Sequence, residues 1–215
     1  MCNWYIYGAG GLGLETMDIL LNSLSDINTQ YYELAFLVDN PNVSEINGFK
    51  VVSWNDRKAN AKVTIAVGEP EIRANLAKKC ESSGLSLASI ISPKAFISSS
   101  AFIDDGVIVG PFASVQAQAY LASNVAINTQ AIIGHHVSVM SSTVISSQAN
   151  LGGASKIGEK CYIGMGALVK EKVCIGSQSI LGMGSVAYKN IPDEIIAIGN
   201  PARPVKKNEN KQVFN

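Results

Sequence analysis

One aliphatic residue recurs at every sixth position through the middle of this 215-residue chain. The register never shifts between Ile91 and Leu181, and a mostly small residue stands two positions before each later member. The members are Ile91, Ile97, Ile103, Val109, Val115, Leu121, Ile127, Ile133, Val139, Ile145, Leu151, Ile157, Ile163, Val169, Ile175 and Leu181. A period of six fits neither a heptad nor a 3.6-residue helix. It predicts a coil of short strands, three to a turn of roughly 18 residues, with one large side chain inward per strand.

An ordinary β-sandwich is the alternative, and it would show turn clusters every ~8–12 residues and a drifting register. The coil is therefore expected over about residues 92–190. The segment 198–203, Ile-Gly-Asn-Pro-Ala-Arg, is expected to be an irregular cap on the open end of the coil. Residues 208–215 are polar, and we expect them to be loosely held.

The residues before the coil alternate between strand and helix patterns. The predicted elements are strands 4–7, 34–38, 63–67 and 87–91 and helices 14–24 and 71–83. Strand, glycine turn, helix and strand in succession form a βαβ unit. We therefore predict a mixed fold, with a Rossmann-like α/β domain over residues 1–91 and a β-helix domain over residues 92–215.

The turn after the first strand matches G-x-G-x-x-G through Gly8, Gly10 and Gly13. Glycine lets the backbone approach a phosphate, and the N-terminus of the following helix supplies free N–H groups. A dinucleotide site with Asp39 on a ribose is one interpretation, and a purely structural turn is another. Only about ninety residues precede the coil, too few for the two halves of a dinucleotide fold. A single nucleotide, such as a nucleoside diphosphate sugar, is therefore favoured.

The composition of the chain limits the classes of partner that it can bind. Seventeen basic and seventeen acidic side chains cancel, which argues against nucleic acid or an anionic membrane as the main partner. The four cysteines have no metal-binding spacing. The N-terminus lacks a basic region before its apolar run, and no apolar stretch is long enough to span a bilayer. We expect a reduced, cytoplasmic protein without membrane insertion.

The two histidines of the chain, His135 and His136, are adjacent. They follow the inward position Ile133, so both are expected at the surface. A zinc site is disfavoured, because neighbours on a strand point to opposite faces and no further ligand stands at a supporting spacing. Surface histidines without a role are one interpretation. The other is a general base, because imidazole titrates near neutral pH and accepts a proton from an attacking amine or hydroxyl.

The coil, the cap and the glycine turn together resemble the sialic acid O-acetyltransferase/bacillosamine N-acetyltransferase family. This resemblance spans nearly the whole chain. It implies a left-handed β-helix and a homotrimer in which acetyl-CoA lies between neighbouring coils. It also implies a nucleotide-sugar substrate held by the N-terminal domain, and no metal.

The resemblance also implies roles for particular residues of the coil. His135 matches the catalytic base, and His136 stands where the family has an acid that orients the imidazole. Gly153 matches a glycine whose N–H faces the thioester oxygen. Val144 stands in the region where a second family histidine contacts the thioester. Met165 and Met183 match positions that line the pantetheine and adenine.

A second set of positions is implied to hold the nucleotide sugar. Leu12 stands where some members have a histidine, and Asp39 and Asn40 are expected at the base or ribose. Arg73 is either a phosphate ligand or a solvated helix residue. The full set is Gly8, Gly10, Gly11, Leu12, Gly13, Asp39, Asn40, Gly68, Arg73 and Asn128.

We therefore predict an acetyl-CoA-dependent N-acetyltransferase. Its acceptor is expected to be a UDP- or dTDP-linked 4-amino-4,6-dideoxyhexose used in surface glycan synthesis such as that of O-antigen polysaccharide. An O-acetyltransferase of a sialic-acid-like sugar is the first alternative. A non-catalytic nucleotide-binding scaffold trimer is the second.

Overall fold

An α/β domain at the N-terminus stands against a parallel β-helix formed by most of the remaining chain. This computed structural model describes residues 2–24 and 31–214. The α/β domain contains β1 (Cys2–Tyr7), α1 (Gly11–Ser23), β2 (Tyr32–Val38), β3 (Glu45–Ile46), β4 (Phe49–Ser53), β5 (Lys62–Ile65), α2 (Pro70–Ser82) and β6 (Ser86–Leu87). Within residues 2–24 and 31–214, no helix combines the length and the apolar character required to traverse a bilayer.

The sheet of the α/β domain has the order β3-β4-β2-β1-β5-β6 and is parallel except for the β3–β4 hairpin. From β1 the chain moves one way to β2 and later returns to β5 on the other side. The switch point, where ligands of such sheets bind, therefore lies between β1 and β5. Side chains of α1 pack on one face with Ile6 and Phe36, and side chains of α2 pack on the other with Leu37 and Ile65.

The β3–β4 hairpin is absent from the predicted elements. Its turn is Asn47-Gly48, with φ values of 50° and 82°. Two consecutive left-handed residues of this type form the tight turn that suits the twist of a hairpin. The Asn-Gly pair is therefore the sequence signal from which the hairpin could have been predicted.

The coil consists mainly of two-residue strands. They are β7 (Ile90–Ile91), β8 (Phe96–Ile97), β9 (Phe102–Ile103), β10 (Ile108–Val109), β11 (Ser114–Val115), β12 (Tyr120–Leu121), β13 (Ala126–Ile127), β14 (Ile132–Ile133), β15 (Ser138–Val139), β16 (Val144–Ile145), β17 (Asn150–Leu151), β18 (Lys156–Ile157), β19 (Tyr162–Ile163), β20 (Leu168–Val169), β21 (Cys174–Ile175), β22 (Ile180–Leu181), β23 (Val186–Ala187), β24 (Ile195–Gly199) and β25 (Ala202–Lys207).

The strands stack into three sheets of eight, six and five strands, which are the three sides of the coil. Ile108 pairs with Ala126, so one turn has 126 − 108 = 18 residues. From Val109 to Leu181, every member of the six-residue series is at most 3% exposed. The predicted inward stripe is therefore confirmed, and it fills one continuous apolar core.

From Phe112 to Gly184, each corner between two sides of the coil turns on one residue with a left-handed φ. These residues also recur every six positions: Phe112, Gln118, Asn124, Gln130, His136, Ser142, Gln148, Ala154, Lys160, Gly166, Lys172, Gln178 and Gly184. Because a side chain at such a corner points away from the core, the corners are where polar side chains are displayed.

Two predicted elements differ from the structure. The single strand expected over 87–91 is divided, because β6 pairs with β5 in the α/β sheet and β7 pairs with β10 in the coil. The expected irregular cap is an antiparallel hairpin of β24 and β25. This hairpin closes the open end of the coil by continuing its eight-stranded side.

Candidate active site

The glycine turn connects β1 to α1 at the carboxyl edge of the sheet. Gly8 has a φ of 116°, and a Cβ there would stand 2.7 Å from the carbonyl oxygen of Ala66. A Cβ on Gly13 would overlap the carbonyl oxygen of Gly8, so this glycine allows α1 to pack closely. Gly10 caps α1 without a side-chain hydrogen bond, and nothing lies within 4 Å of a Cβ on Gly10 or Gly11. The turn is thus open to a phosphate at the positive end of α1.

Gly8 and Gly68 stand on the two sides of the switch point. Gly8 follows β1, and Gly68 lies shortly after the neighbouring β5. The structure therefore brings two of the predicted substrate residues to the edge where a nucleotide binds in this class of sheet.

Asp39, at the end of β2, belongs to a polar cluster that the sequence did not indicate. Its Oδ1 accepts hydrogen bonds from the Tyr7 hydroxyl, at 2.9 Å, and from the Lys79 ammonium group. The hydrogen bond from Lys79 lowers the pKa of Asp39. Burial, and then the hydrogen bond to Asp39, raise the pKa of Tyr7. Trp54 stacks on Tyr7, with ring centroids 5.6 Å apart. The carboxylate is thus a fixed anion at the carboxyl edge of the sheet.

Arg73 corrects the sequence prediction, because it is not available to a phosphate. Its side chain is fully buried, and its N–H groups donate to the carbonyl oxygens of Ile65, Val67 and Asn124 and to Asn124 Oδ1. Burial lowers the pKa of the guanidinium to about 9, so it remains charged at neutral pH. Since Asn124 lies at a corner of the coil, Arg73 joins the two domains.

A cleft of about 300 Å³ separates α1 from one corner of the coil. Leu12 and Asn128, both predicted to contact substrate, line it from opposite walls. Glu15 and Asp18, on the same side of α1, add two carboxylates that the sequence prediction missed. Leu12, Glu15 and Asp18 are spaced three positions apart. This spacing would have predicted that all three lie on one face of the helix.

The two histidines occupy a corner of the coil, in the turn from Gly134 to Val137. The Val137 N–H donates to the Gly134 carbonyl at 3.3 Å, and His136 takes the left-handed position with a φ of 58°. Both rings are exposed, and their Nδ1 atoms are 3.0 Å apart. One of these two nitrogens must carry a proton for the other to accept it. The neighbouring imidazole therefore orients the His135 ring.

Gly153 lies one turn of the coil beyond His135. A Cβ on Gly153 would stand 2.5 Å from His135 Nε2 and 2.6 Å from Cε1, so the imidazole fills the space that a side chain would take. Within the described parts of the chain, the Gly153 N–H makes no backbone hydrogen bond. An imidazole nitrogen and a free N–H group are therefore adjacent at the surface.

Val144 corrects a second prediction, because it does not face a thioester. Its side chain is 1% exposed and packs in the apolar cluster between the α/β domain and the coil, beside Ile108 and Ala126. Val144 is therefore part of the junction between the two domains, and it does not perform the role of the second family histidine.

Met165 and Met183 are 52% and 74% exposed and lie one turn apart on a single corner. That corner also carries Asn128, whereas His135 and Gly153 are on the next corner. Within one chain, the predicted site residues therefore form two separate groups.

Among residues 2–24 and 31–214, no three His, Cys, Asp or Glu side chains converge as metal ligands would. The cysteines at 2, 80, 161 and 174 are free thiols.

The fold and this surface define a class of protein: a hexapeptide-repeat β-helix that carries an α/β domain with an open glycine turn. A family model described as the GMPPB C-terminal domain matches residues 86–196, and one described as the PglD N-terminal domain matches residues 3–80. The acetyltransferase domain of PglB from Neisseria gonorrhoeae FA1090 is 31% identical with a TM-score of 0.88, covering 95% of this chain and 100% of that chain. The chain therefore belongs to the hexapeptide-repeat family of sugar acetyltransferases, and its coil is the left-handed β-helix of that family.

Two further relatives are associated with a nucleotide sugar, either by name or as a bound ligand. A mutant of perosamine N-acetyltransferase from Caulobacter crescentus, in complex with CoA and GDP-perosamine, is 25% identical with a TM-score of 0.84 and covers 96% of this chain and 98% of that chain. GDP-perosamine N-acetyltransferase of Escherichia coli O157:H7 is 28% identical over 119 residues, which are 54% of this chain and 54% of that protein. The match thus spans about half the length of this curated relative. The PglB domain has also been solved in complex with acetyl coenzyme A, where it is 32% identical with a TM-score of 0.87 and covers 94% of this chain and 98% of that chain.

Proposed function

We propose that this protein transfers the acetyl group of acetyl-CoA to the amino group of a nucleotide-linked amino sugar. The acceptor we favour is a 4-amino-4,6-dideoxyhexose attached to a nucleoside diphosphate, used in cytoplasmic steps of surface glycan synthesis. The observation that carries the proposal is the contact of His135 with Gly153. It sets a potential base beside a free N–H group, as transfer to an acyl carbonyl requires.

His135 acts as the general base in this proposal. In this proposal His135 Nδ1 carries a proton and donates a hydrogen bond to His136 Nδ1, 3.0 Å away, so that Nε2 is unprotonated and accepts a proton from the amine as nitrogen attacks the carbonyl carbon. The Gly153 N–H donates to the oxygen that becomes negatively charged. The C–S bond then breaks, and CoA leaves as the thiolate and is protonated. The products are the N-acetyl sugar nucleotide and CoA.

His136 replaces the acid that the family resemblance leads us to expect at this position. A neutral imidazole orients His135 but stabilises its protonated form less than a carboxylate does. Attack by an amine needs a weaker base than attack by a hydroxyl. The pair therefore favours N-acetylation over O-acetylation.

The charge of the α1 cleft supports the same choice of acceptor. Glu15 and Asp18 line the cleft together with a single basic residue, Lys94. Two carboxylates attract a protonated amino sugar and repel the carboxylate of a sialic-acid-like sugar. With the diphosphate at the glycine turn, the sugar would extend past Leu12 towards Asn128.

A second copy of the chain completes the site in this proposal. His135 with Gly153 and Asn128 with the two methionines stand at different corners of one coil. If the coils assemble as a trimer, the histidine corner of one chain meets the methionine corner of its neighbour, and acetyl-CoA lies in the groove between them. Met165 and Met183 supply the flexible apolar surface that suits pantetheine and adenine.

The test is acetyl-CoA turnover with a panel of acceptors, followed by release of the free thiol. The panel contains 4-amino-4,6-dideoxyhexoses linked to UDP, dTDP and GDP, together with a sialic acid. We expect release with at least one amino sugar nucleotide and none with the sialic acid. The acetylated product should carry the acetyl group on nitrogen, as judged by mass spectrometry and resistance to mild alkali.

Two results would contradict the proposal. Turnover with the sialic acid alone would indicate an O-acetyltransferase. Thiol release with none of the acceptors, combined with tight binding of a nucleotide, would indicate a scaffold protein. The molar mass in solution, by light scattering, tests the trimer separately.

A further inference from the structure

Residues 208–214, which we call the C-terminal arm, cross from the coil to the α/β domain. The arm starts at Asn208, which is 6% exposed. The Asn208 backbone N–H donates to the Glu194 carbonyl at 2.8 Å, and its side-chain amide donates to the Gln178 carbonyl at 2.9 Å. The expected loose tail is therefore incorrect over the described residues, because the arm is anchored on the coil. Asn215 lies outside the described residues.

Glu69 holds the other end of the arm. It lies immediately before α2 and is 8% exposed. Its carboxylate accepts hydrogen bonds from the Val213 N–H, at 2.9 and 3.1 Å, and from the Phe214 N–H, at 3.1 Å. A buried carboxylate that accepts two backbone N–H groups fixes the course of the arm more firmly than neutral contacts would. No basic side chain shares this contact among the residues described.

This anchor places the Phe214 ring at the nucleotide edge of the sheet. A Cβ on Gly68 would stand 3.5 Å from Phe214 Cε2, so the ring lies directly beside the Gly68 backbone. Tyr162, on the coil, meets the ring at right angles with centroids 5.4 Å apart. Half of the phenyl surface remains exposed, and it borders a pocket of about 460 Å³ that also contacts Val67 and Ile72.

The position of Phe214 beside Gly68 indicates which part of the ligand the ring would meet. In the proposed function, the phosphates lie at the glycine turn, and the sugar extends towards Asn128 on the α1 side. The nucleoside must then extend the other way, over the switch point between Gly8 and Gly68. The ends of β2 and β5 flank β1 at two strand spacings, about 10 Å apart. That width accommodates a nucleobase with Asp39 on one side and Phe214 on the other.

We propose that Phe214 is a wall of the nucleotide site, on which the nucleobase stacks, and that Glu69 is the positioning residue that holds it there. This proposal rests on the proposed function for the identity of the ligand. Stacking on an aromatic ring tolerates any base, because every base has a π face. The arm thus provides affinity for the nucleoside, and the polar residues opposite it are left to select the base.

The experiment compares kinetics and nucleotide binding in three variants of the full chain. Phe214→Ala removes the ring, Phe214→Tyr retains it, and Phe102→Ala is the matched control, because it removes a phenyl group that is 66% exposed on the coil. Stacking of a base on an aromatic ring contributes about 1–3 kcal/mol. We therefore expect Phe214→Ala to raise the KM for the nucleotide sugar about fivefold to 150-fold. The kcat and the KM for acetyl-CoA should stay within about twofold, and the other two variants should resemble the wild type.

Glu69→Gln tests the positioning role, because it retains one acceptor for the arm and loses the other. We expect a smaller rise in the same KM, and the double variant that also carries Phe214→Ala should show no greater rise than Phe214→Ala alone. Calorimetry with UDP, dTDP and GDP should show the matching loss of affinity.

The outcomes separate this inference from the proposed function. If the wild type binds and acetylates a nucleotide sugar but Phe214→Ala leaves its KM unchanged, the wall is refuted and the function stands. If the wild type binds none of the three nucleotides, both this inference and the proposed function are refuted. If Phe214→Ala raises the KM for acetyl-CoA instead, the arm belongs to the CoA groove, and our assignment is wrong.

Discussion

Gly153→Ala tests whether the His135 imidazole works at the position seen here. The added Cβ would stand 2.5 Å from His135 Nε2, whereas ordinary contact begins at 3.4 Å. The ring must therefore retreat by about 3.4 − 2.5 = 0.9 Å. A misplacement of about 1 Å in a catalytic group costs about 10²-fold in rate. We expect kcat to fall about 100-fold.

The same substitution should leave the fold intact. Gly153 has no left-handed φ, so its backbone accepts alanine, and its N–H group is retained. The neighbouring glycine is the matched control. A Cβ on Gly152 would stand 2.6 Å from the backbone nitrogen of Glu171 and 2.8 Å from the carbonyl oxygen of Val169. Gly152→Ala should therefore destabilise the coil by about 1–3 kcal/mol.

The assay measures kcat by thiol release at saturating acetyl-CoA and thermal unfolding of both variants. We expect low turnover with an unchanged melting temperature for Gly153→Ala, and a lowered melting temperature for Gly152→Ala. Full turnover by Gly153→Ala would refute the argument, because the imidazole would then tolerate displacement. Equal loss of stability in both variants would also refute it, because the defect would then lie in folding.

Three further predictions concern other residues of the site. His135→Ala should lower kcat about 10²–10⁴-fold, and His136→Ala should lower it less; equal losses measured by thiol release would mean that the roles are wrongly divided. Arg73→Met should lower the free energy of unfolding by about 3–5 kcal/mol, measured in urea. The substitution leaves the buried carbonyl oxygens of Ile65, Val67 and Asn124 without donors. A change below about 1 kcal/mol would show that the domain junction does not depend on Arg73. Changing Glu15 to Gln and Asp18 to Asn together should raise the KM for an amino sugar nucleotide, and the difference from wild type should shrink with added salt; a KM that does not respond would mean that the cleft charge plays no part.

The repeat determined most of what the sequence could predict. The inward residues from Val109 to Leu181 depend only on a local period, so their burial followed from spacing alone. The glycine turn was equally local, because Gly8 and Gly13 act on backbone atoms close in sequence or in the adjoining strand. The pairing of His135 with Gly153 followed from the resemblance, and its geometry from the length of one turn.

Contacts between the two domains were beyond sequence reasoning. Arg73 was expected at a phosphate and Val144 at a thioester, yet both are buried at the junction. Their partners lie far away in sequence, as for Arg73 with Asn124, and no periodic signal marks such a pair. The same reason hid the arm, because Glu69 is 144 and 145 positions away in sequence from residues 213 and 214.

The 18-residue turn has a consequence for how this family can diversify. Duplicating or deleting one whole turn keeps every aliphatic residue inward and every left-handed residue at a corner. An insertion of six or twelve residues would keep that register but transfer every later residue to a different side of the coil, and an insertion within the strands that is not a multiple of six would move aliphatic residues out of the core. Evolution can therefore lengthen or shorten the coil without rearranging its three sides only in whole increments of one turn.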